Sequence, residues 1–193
     1  LFTSAAFAEG QAAQGSALSS ILMLVAFFAI VYFLLMRPQM KRNKEQKRML
    51  SEIAKGDEVI TTPYTYIATV EAIEYVGAQP VLVDVDDDFN ISIERIKFAL
   101  TKKTRAIIPV HIAGNPCNME VLRSFADENN LFLLQDAAHA IESYWNGKHV
   151  SEFGDVAAFS FYATKNITTA GEGGMLVTNN ESIANRSRRL ALH

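Results

Sequence analysis

The hydrophobic pattern changes character twice along the chain. From Ala17 to Met36 the sequence ALSSILMLVAFFAIVYFLLM is apolar on every side and carries no charge. A helix of that length covers about 30 Å, the thickness of a bilayer's hydrocarbon core. Lipid offers no partner to an unpaired backbone group, so a helix is the element expected there. From Glu58 onward, short β-branched runs alternate with one-sided stretches. The pattern predicts strands at Glu58–Thr61, Pro80–Asp84, Arg105–Val110, Leu131–Gln135, Val156–Ser160 and Met175–Thr178. It predicts helices at Ile67–Val76, Ser92–Leu100, Met119–Asn130 and Glu181–Leu192. Met119, Leu122, Phe125 and Ala126 recur at the spacing of a one-sided helix. The unbroken apolar run Leu131–Leu134 suits a strand covered on both faces. Strand–helix alternation predicts an α/β fold, a mostly parallel sheet with right-handed crossovers. Chemistry in such sheets gathers at the carboxyl ends of the strands.

Composition sharpens this division. Residues 1–36 hold one charged side chain, Glu9, whereas residues 37–48 hold six basic ones, Arg37, Lys41, Arg42, Lys44, Lys47 and Arg48. Basic loops stay on the cytoplasmic side, so residues 1–16 are expected outside, residues 17–36 across the membrane and residues 37–56 as a basic cytoplasmic helix or linker. A cleaved signal peptide, suggested by the small residues of Ala5–Ala8, would carry its charge before the apolar run rather than after it. Residues 63–193 have a net charge of −5, which argues against nucleic acid as a partner. The single cysteine, Cys117, excludes a disulfide scaffold within the chain and a cysteine-ligated zinc finger.

The run from Gly15 to Asp57 resembles YajC, the single-span accessory subunit of the bacterial Sec translocon. The features that carry the resemblance are the apolar span, the Arg37-Pro38-Gln39 exit, the lysine-arginine helix and the Ile53-Ala54-Lys55-Gly56-Asp57 turn. It covers about residues 1–60. The resemblance implies a single-pass protein of the inner membrane with the Sec translocon as partner. After Thr62 the chain leaves that family's pattern.

Three predicted strand ends carry polar groups. Asp136-Ala137-Ala138-His139 follows one strand, Ser160 and then Lys165 follow the next, and Gly171-Glu172-Gly173-Gly174 precedes the last. A lysine kept from water gives up its proton and becomes a nucleophilic amine able to form a Schiff base. Pyridoxal phosphate (PLP) needs such a lysine, a carboxylate beside its ring nitrogen and donors for its phosphate. Asp136, Lys165 and Ser160 fill those roles in outline. Each also has a plainer reading: Asp136 as a helix N-cap, Lys165 as a solvated loop residue, Ser160 as a strand-end cap.

Longer stretches resolve that choice by resemblance. GDEVITTPYTYIATVEAIEYVGAQPVLVDVD, AIIPVHIAGNPCNM, LLQDAAHAIESYWNGKHV and FGDVAAFSFYATKNITTAGEGGMLVTNN are similar to the DegT/DnrJ/StrS family of PLP-dependent sugar aminotransferases. The resemblance spans residues 57–193 and implies the three-layer α/β/α major domain of the type I PLP-dependent transferase fold. It implies that Lys165 is the Schiff-base lysine and the acid/base of the proton shift. It further implies that Asp136 partners the pyridinium nitrogen and His139 stands near the phenolic oxygen. Ser160 would contact the phosphate and Tyr66 would stack on the ring. The implied reaction moves an amino group from an amino-acid donor, glutamate, to a keto sugar nucleotide, with a homodimer completing the site.

Residues 1–56 contain no match to that family's Gly-Thr phosphate loop, and the chain ends before its C-terminal small domain. The domain is therefore expected to be partial. The join at Gly56–Thr61, GDEVIT, fits both families, which points to recombination or to a sequence joined from two genes. His111 is read as either a ligand-facing or a structural histidine. The run Asp86-Asp87-Asp88 is read as a solvated turn, and Tyr144 and Trp145 as flanking a β-turn at Asn146-Gly147. No metal site is expected.

Overall fold

The computed structural model describes residues 12–32 and 53–191, with backbone alone for residues 12–20. The chain divides into two units, Leu1–Glu45 and Gln46–His193. In the first, helix α1 runs Ala12–Val31, so it starts ahead of the expected Ala17. Its apolar side chains from Ile21 to Ile30 are exposed. The expected membrane span ends at Met36, past the described residues. Among the described residues no helix is long and apolar enough to cross a membrane. The basic segment expected at 37–56 also falls largely outside them.

The second unit is a six-stranded sheet flanked by helices. Its strands are β1 Glu58–Thr61, β2 Gln79–Leu82, β3 Thr104–Ile108, β4 Phe132–Asp136, β7 Val156–Ser160 and β8 Gly174–Val177, in the order β2-β1-β3-β4-β7-β8. A separate hairpin pairs β5 Tyr144–Trp145 with β6 Lys148–His149. Its turn residues Asn146 and Gly147 both have positive φ, 48° and 79°, which suits the Asn-Gly pair expected to turn there. The helices are α2 Ile67–Tyr75, α3 Ile93–Ala99, α4 Met119–Glu128 and α5 Glu181–Ala191. Every strand and helix expected from Glu58 onward is present, displaced by no more than a few residues.

Alternation along the strands builds two cores. Ile60, Ile107 and Leu133 point to one face and pack with Ile96 of α3 and Met119, Leu122 and Ala126 of α4. Val59, Ala106, Ile108 and Phe132 point to the other and pack with Ile73 of α2, with Ile183 of α5 against them. The sheet thus lies between helical layers, which is why its central strands read as apolar runs. Helix α2 connects β1 to β2 on one side of the sheet. The chain then returns past β1 to β3 through α3 on the opposite side. This reversal between β1 and β3 is a topological switch point, where the connections diverge and leave a crevice.

One departure from a parallel sheet occurs at the edge. Strand β8 runs antiparallel to β7, with Ala157 opposite Val177 and Ser160 opposite Gly174. No helix intervenes between these two strands, and a parallel crossover requires one.

Candidate active site

Backbone pairing sets the floor of the crevice. Beyond β3, Val110 bridges to Asp136 in parallel register. The Asp136 amide donates to Pro109 O at 2.9 Å, and the His111 amide donates to Asp136 O at 3.1 Å. These bonds carry the β3–β4 pairing past the strands and fix the Asp136 main chain.

A cavity of about 390 Å³ opens above this floor. Its walls come from four strand ends: Pro63–Tyr66 after β1, Val110–Ala113 after β3, Asp136, Ala138 and His139 after β4, and Lys165 after β7. Four of the five residues expected in the site therefore meet in one cavity: Tyr66, Asp136, His139 and Lys165. Ser160 is not among the lining residues. It ends β7 half-buried, and its Oγ accepts from the Tyr162 amide at 3.4 Å.

Lys165 Nζ lies 2.9 Å from His139 Nε2. An ammonium has only donors, so in that state the lysine donates and the imidazole accepts. Asp136 is not a helix cap, because turns rather than a helix follow it. Its Oδ1 accepts from the Ala138 amide at 3.1 Å, and its Oδ2 accepts from Thr69 Oγ1 at 2.6 Å. Tyr66 precedes the first residue of α2 and is 78% exposed, so its ring stands at the mouth.

Two parts of the site escape the sequence pattern. Thr69, one turn into α2, is buried and reaches Asp136 across 67 positions of sequence; Thr65 Oγ1 lies 2.8 Å from Thr69 Oγ1. The available signal was Thr69's place in the first turn of a helix that starts at a strand end. The second part is the buried surround of His111. Its Nδ1 accepts from the Cys117 amide at 3.1 Å, so the ring proton sits on Nε2 and is donated to Gln135 Oε1 at 2.9 Å. Burial lowers the His111 pKa from its ordinary value, outweighing the Gln135 hydrogen bond and the Asp136 charge, which raise it. His111 is thus structural and cavity-lining at once. Burial also pushes the Cys117 thiol up to about 12, and its Sγ donates to Val110 O at 3.4 Å and to Asn90 Oδ1 at 3.5 Å.

Two glycines keep this region closed. A Cβ on Gly154 would collide with the side chain of Gln135, and one on Gly114 would stand 2.9 Å from His139 O. Gly114 also has φ +83°, a conformation that L side chains rarely adopt. Elsewhere, Asp88 closes its turn by accepting from the amide and side-chain nitrogens of Asn90.

Fold and site together define an α/β domain with a small-molecule cavity at its switch point. Within that class the chain belongs to the DegT/DnrJ/EryC1/StrS aminotransferase family, which matches residues 47–193. It is 44% identical over 142 residues to the spore coat polysaccharide biosynthesis protein SpsC of Bacillus subtilis, covering 73% of this chain and 36% of SpsC. Among solved structures it is similar to DesV of S. venezuelae, with 39% identity and a TM-score of 0.68 over 77% of this chain and 40% of DesV. It is also similar to NtdA of Bacillus subtilis, solved with bound cofactor PMP, with 30% identity and a TM-score of 0.65 over 74% of this chain and 32% of NtdA. The chain spans about a third of the length of the curated relatives it matches. Enzymes of this family depend on PLP. The donor set fits that cofactor, since an amine and a carboxylate border one cavity from neighbouring strand ends. No relative supports the resemblance of residues 1–60 to YajC.

Proposed function

We propose that residues 57–193 are the cofactor-binding part of a sugar aminotransferase. The reading assigns Lys165 to the Schiff base with PLP, Asp136 to the ring nitrogen, His139 to the phenolic oxygen and Tyr66 to the ring face. Ser160 is assigned to the phosphate from the resemblance alone. The observation that carries the reading is the Lys165–His139 contact over a cavity whose floor presents the Asp136 carboxylate.

Bound PLP supplies an aldehyde for the amino group and a ring that accepts electrons. The chain's own groups do the rest. Lys165 Nζ takes up and returns a proton, and His139 Nε2 stands at hydrogen-bond distance to exchange it. Asp136, fixed through its main chain and both side-chain oxygens, meets the cofactor without having to reorient. The substrates proposed are a keto sugar nucleotide and glutamate as donor, with a second copy completing the site. The test is the absorbance of a Schiff base when the purified chain is mixed with PLP. The band is expected in the wild-type chain and absent in Lys165→Ala; equal spectra would overturn the assignment.

For residues 17–36 we propose a single membrane anchor that leaves the aminotransferase domain in the cytoplasm. The support is the charge-free apolar run followed by six basic residues within 37–48. Extraction of membranes with alkaline carbonate should leave the chain in the pellet, and release would refute the anchor. An accessory role at the Sec translocon rests on residues 1–60 alone; co-purification with the channel that survives deletion after residue 60 would favour it.

A further inference from the structure

We infer that Thr69, braced by Thr65, is the positioning residue that holds the Asp136 carboxylate oriented on the cavity floor. The inference rests on the proposed role of Asp136 for its purpose, and on geometry for its substance.

The chain of bonds runs in one direction. An ionised carboxylate only accepts, so the 2.6 Å bond to Asp136 Oδ2 takes the Thr69 hydroxyl proton. Thr69 Oγ1 is then left as the acceptor for Thr65 Oγ1, 2.8 Å away. The other carboxylate oxygen, Oδ1, accepts from the Ala138 amide. Both oxygens thus meet donors, which fixes the plane of the carboxylate.

The placement is tightly held. Thr69 is 7% exposed in the first turn of α2, which is anchored by Ile73 in the core beneath β1 and β3. Helix α2 therefore clamps the carboxylate from one side while the β3 extension fixes its main chain from the other. The charged and titratable groups that line the cavity with Asp136 are Lys165, His139, His111, Tyr64 and Tyr66. Of these, only Lys165 and His139 form a side-chain bond to one another. Thr69 is the side chain that bonds to Asp136.

The test follows the Asp136 carboxyl carbon by NMR in the full chain labelled at aspartate, without PLP, its signal assigned by its loss in Asp136→Asn. At about pH 7 the signal is expected to move in Thr69→Val, because the carboxylate loses its hydroxyl donor. Thr69→Ser keeps the hydroxyl and should leave the signal at its wild-type position. Thr65→Val, which removes only the brace, should move it in the same direction by less. A folded Thr69→Val whose signal stays at the wild-type position overturns the inference. If Thr69→Val does not fold, an unmoved Thr65→Val does the same. PLP binding is measured separately by absorbance, where Thr69→Val is expected to weaken it about tenfold and Thr69→Ser to restore it. A wild-type chain that binds no PLP would break the proposed function and leave the shift of the carboxyl signal standing.

Discussion

His111 and His139 border the same cavity under opposite conditions. His111 is buried at 1% exposure, and both ring nitrogens are committed, one to the Cys117 amide and one to Gln135. His139 is exposed and spends its Nε2 on Lys165. The first has a fixed tautomer and a lowered pKa, so it behaves as a neutral, rigid part of the wall. The second is open to solvent and meets the Lys165 amine. One residue type thus serves as a fixed part of the wall and as an exposed neighbour of the lysine, and the difference is made by burial and by which nitrogen has a partner.

The comparison can be broken most sharply at the floor. His111→Ala leaves the Cys117 amide and Gln135 without partners and opens a void, and should cost about 2–4 kcal/mol of folding stability. Urea unfolding would measure it. His139→Ala removes only an exposed contact and should change stability by less than about 0.5 kcal/mol while altering the absorbance of bound PLP.

Acid supplies the next test. The folded chain resists protonation at His111, whereas the unfolded chain accepts it near the ordinary value of 6.5. Below that pH the unfolded state binds more protons, so stability must fall as pH drops, by up to about 1.4 kcal/mol per unit. The loss ends at the lowered folded pKa. Urea midpoints taken from about pH 7 to pH 5 should show a slope that His111→Gln reduces.

The glycines give a further test. Gly154→Ala drives a methyl group into Gln135, and Gly114→Ala combines a close approach to His139 O with an unfavourable φ. Each should cost about 1–3 kcal/mol, read from thermal unfolding. Only Gly114→Ala should also disturb the PLP spectrum, because it displaces the segment that carries His139. At the small end, Cys117 should not react with a thiol reagent at about pH 8 in the folded chain and should react fully in urea, since burial holds its thiol near 12.

Most of the second unit was legible because its elements are local. The two-face alternation of β1, β3 and β4 and the one-sided pattern of α4 are written in consecutive residues. The antiparallel return of β8 was legible in principle, since Phe161–Gly173 offers no crossover helix, but a mostly parallel reading passed over it. What periodicity does not encode is which side chain meets which across the fold. Thr69 on Asp136 and His111 on Gln135 join positions 67 and 24 residues apart. Ser160, whose motif position fits a phosphate contact, has an Oγ that accepts from the Tyr162 amide two residues on, a local bond that periodicity does not encode either.

The loop that carries Lys165 has its own consequence. Its base is stitched by Phe161 N to Gly173 O at 2.8 Å and by Thr169 N to Phe161 O at 3.0 Å, and a Gly173 side chain would have no room beside Thr169. The lysine is therefore on a leash of set length, tied to the sheet at both ends. Adding a residue between Phe161 and Lys165 would carry the amine away from His139 even though every wall of the cavity stayed in place.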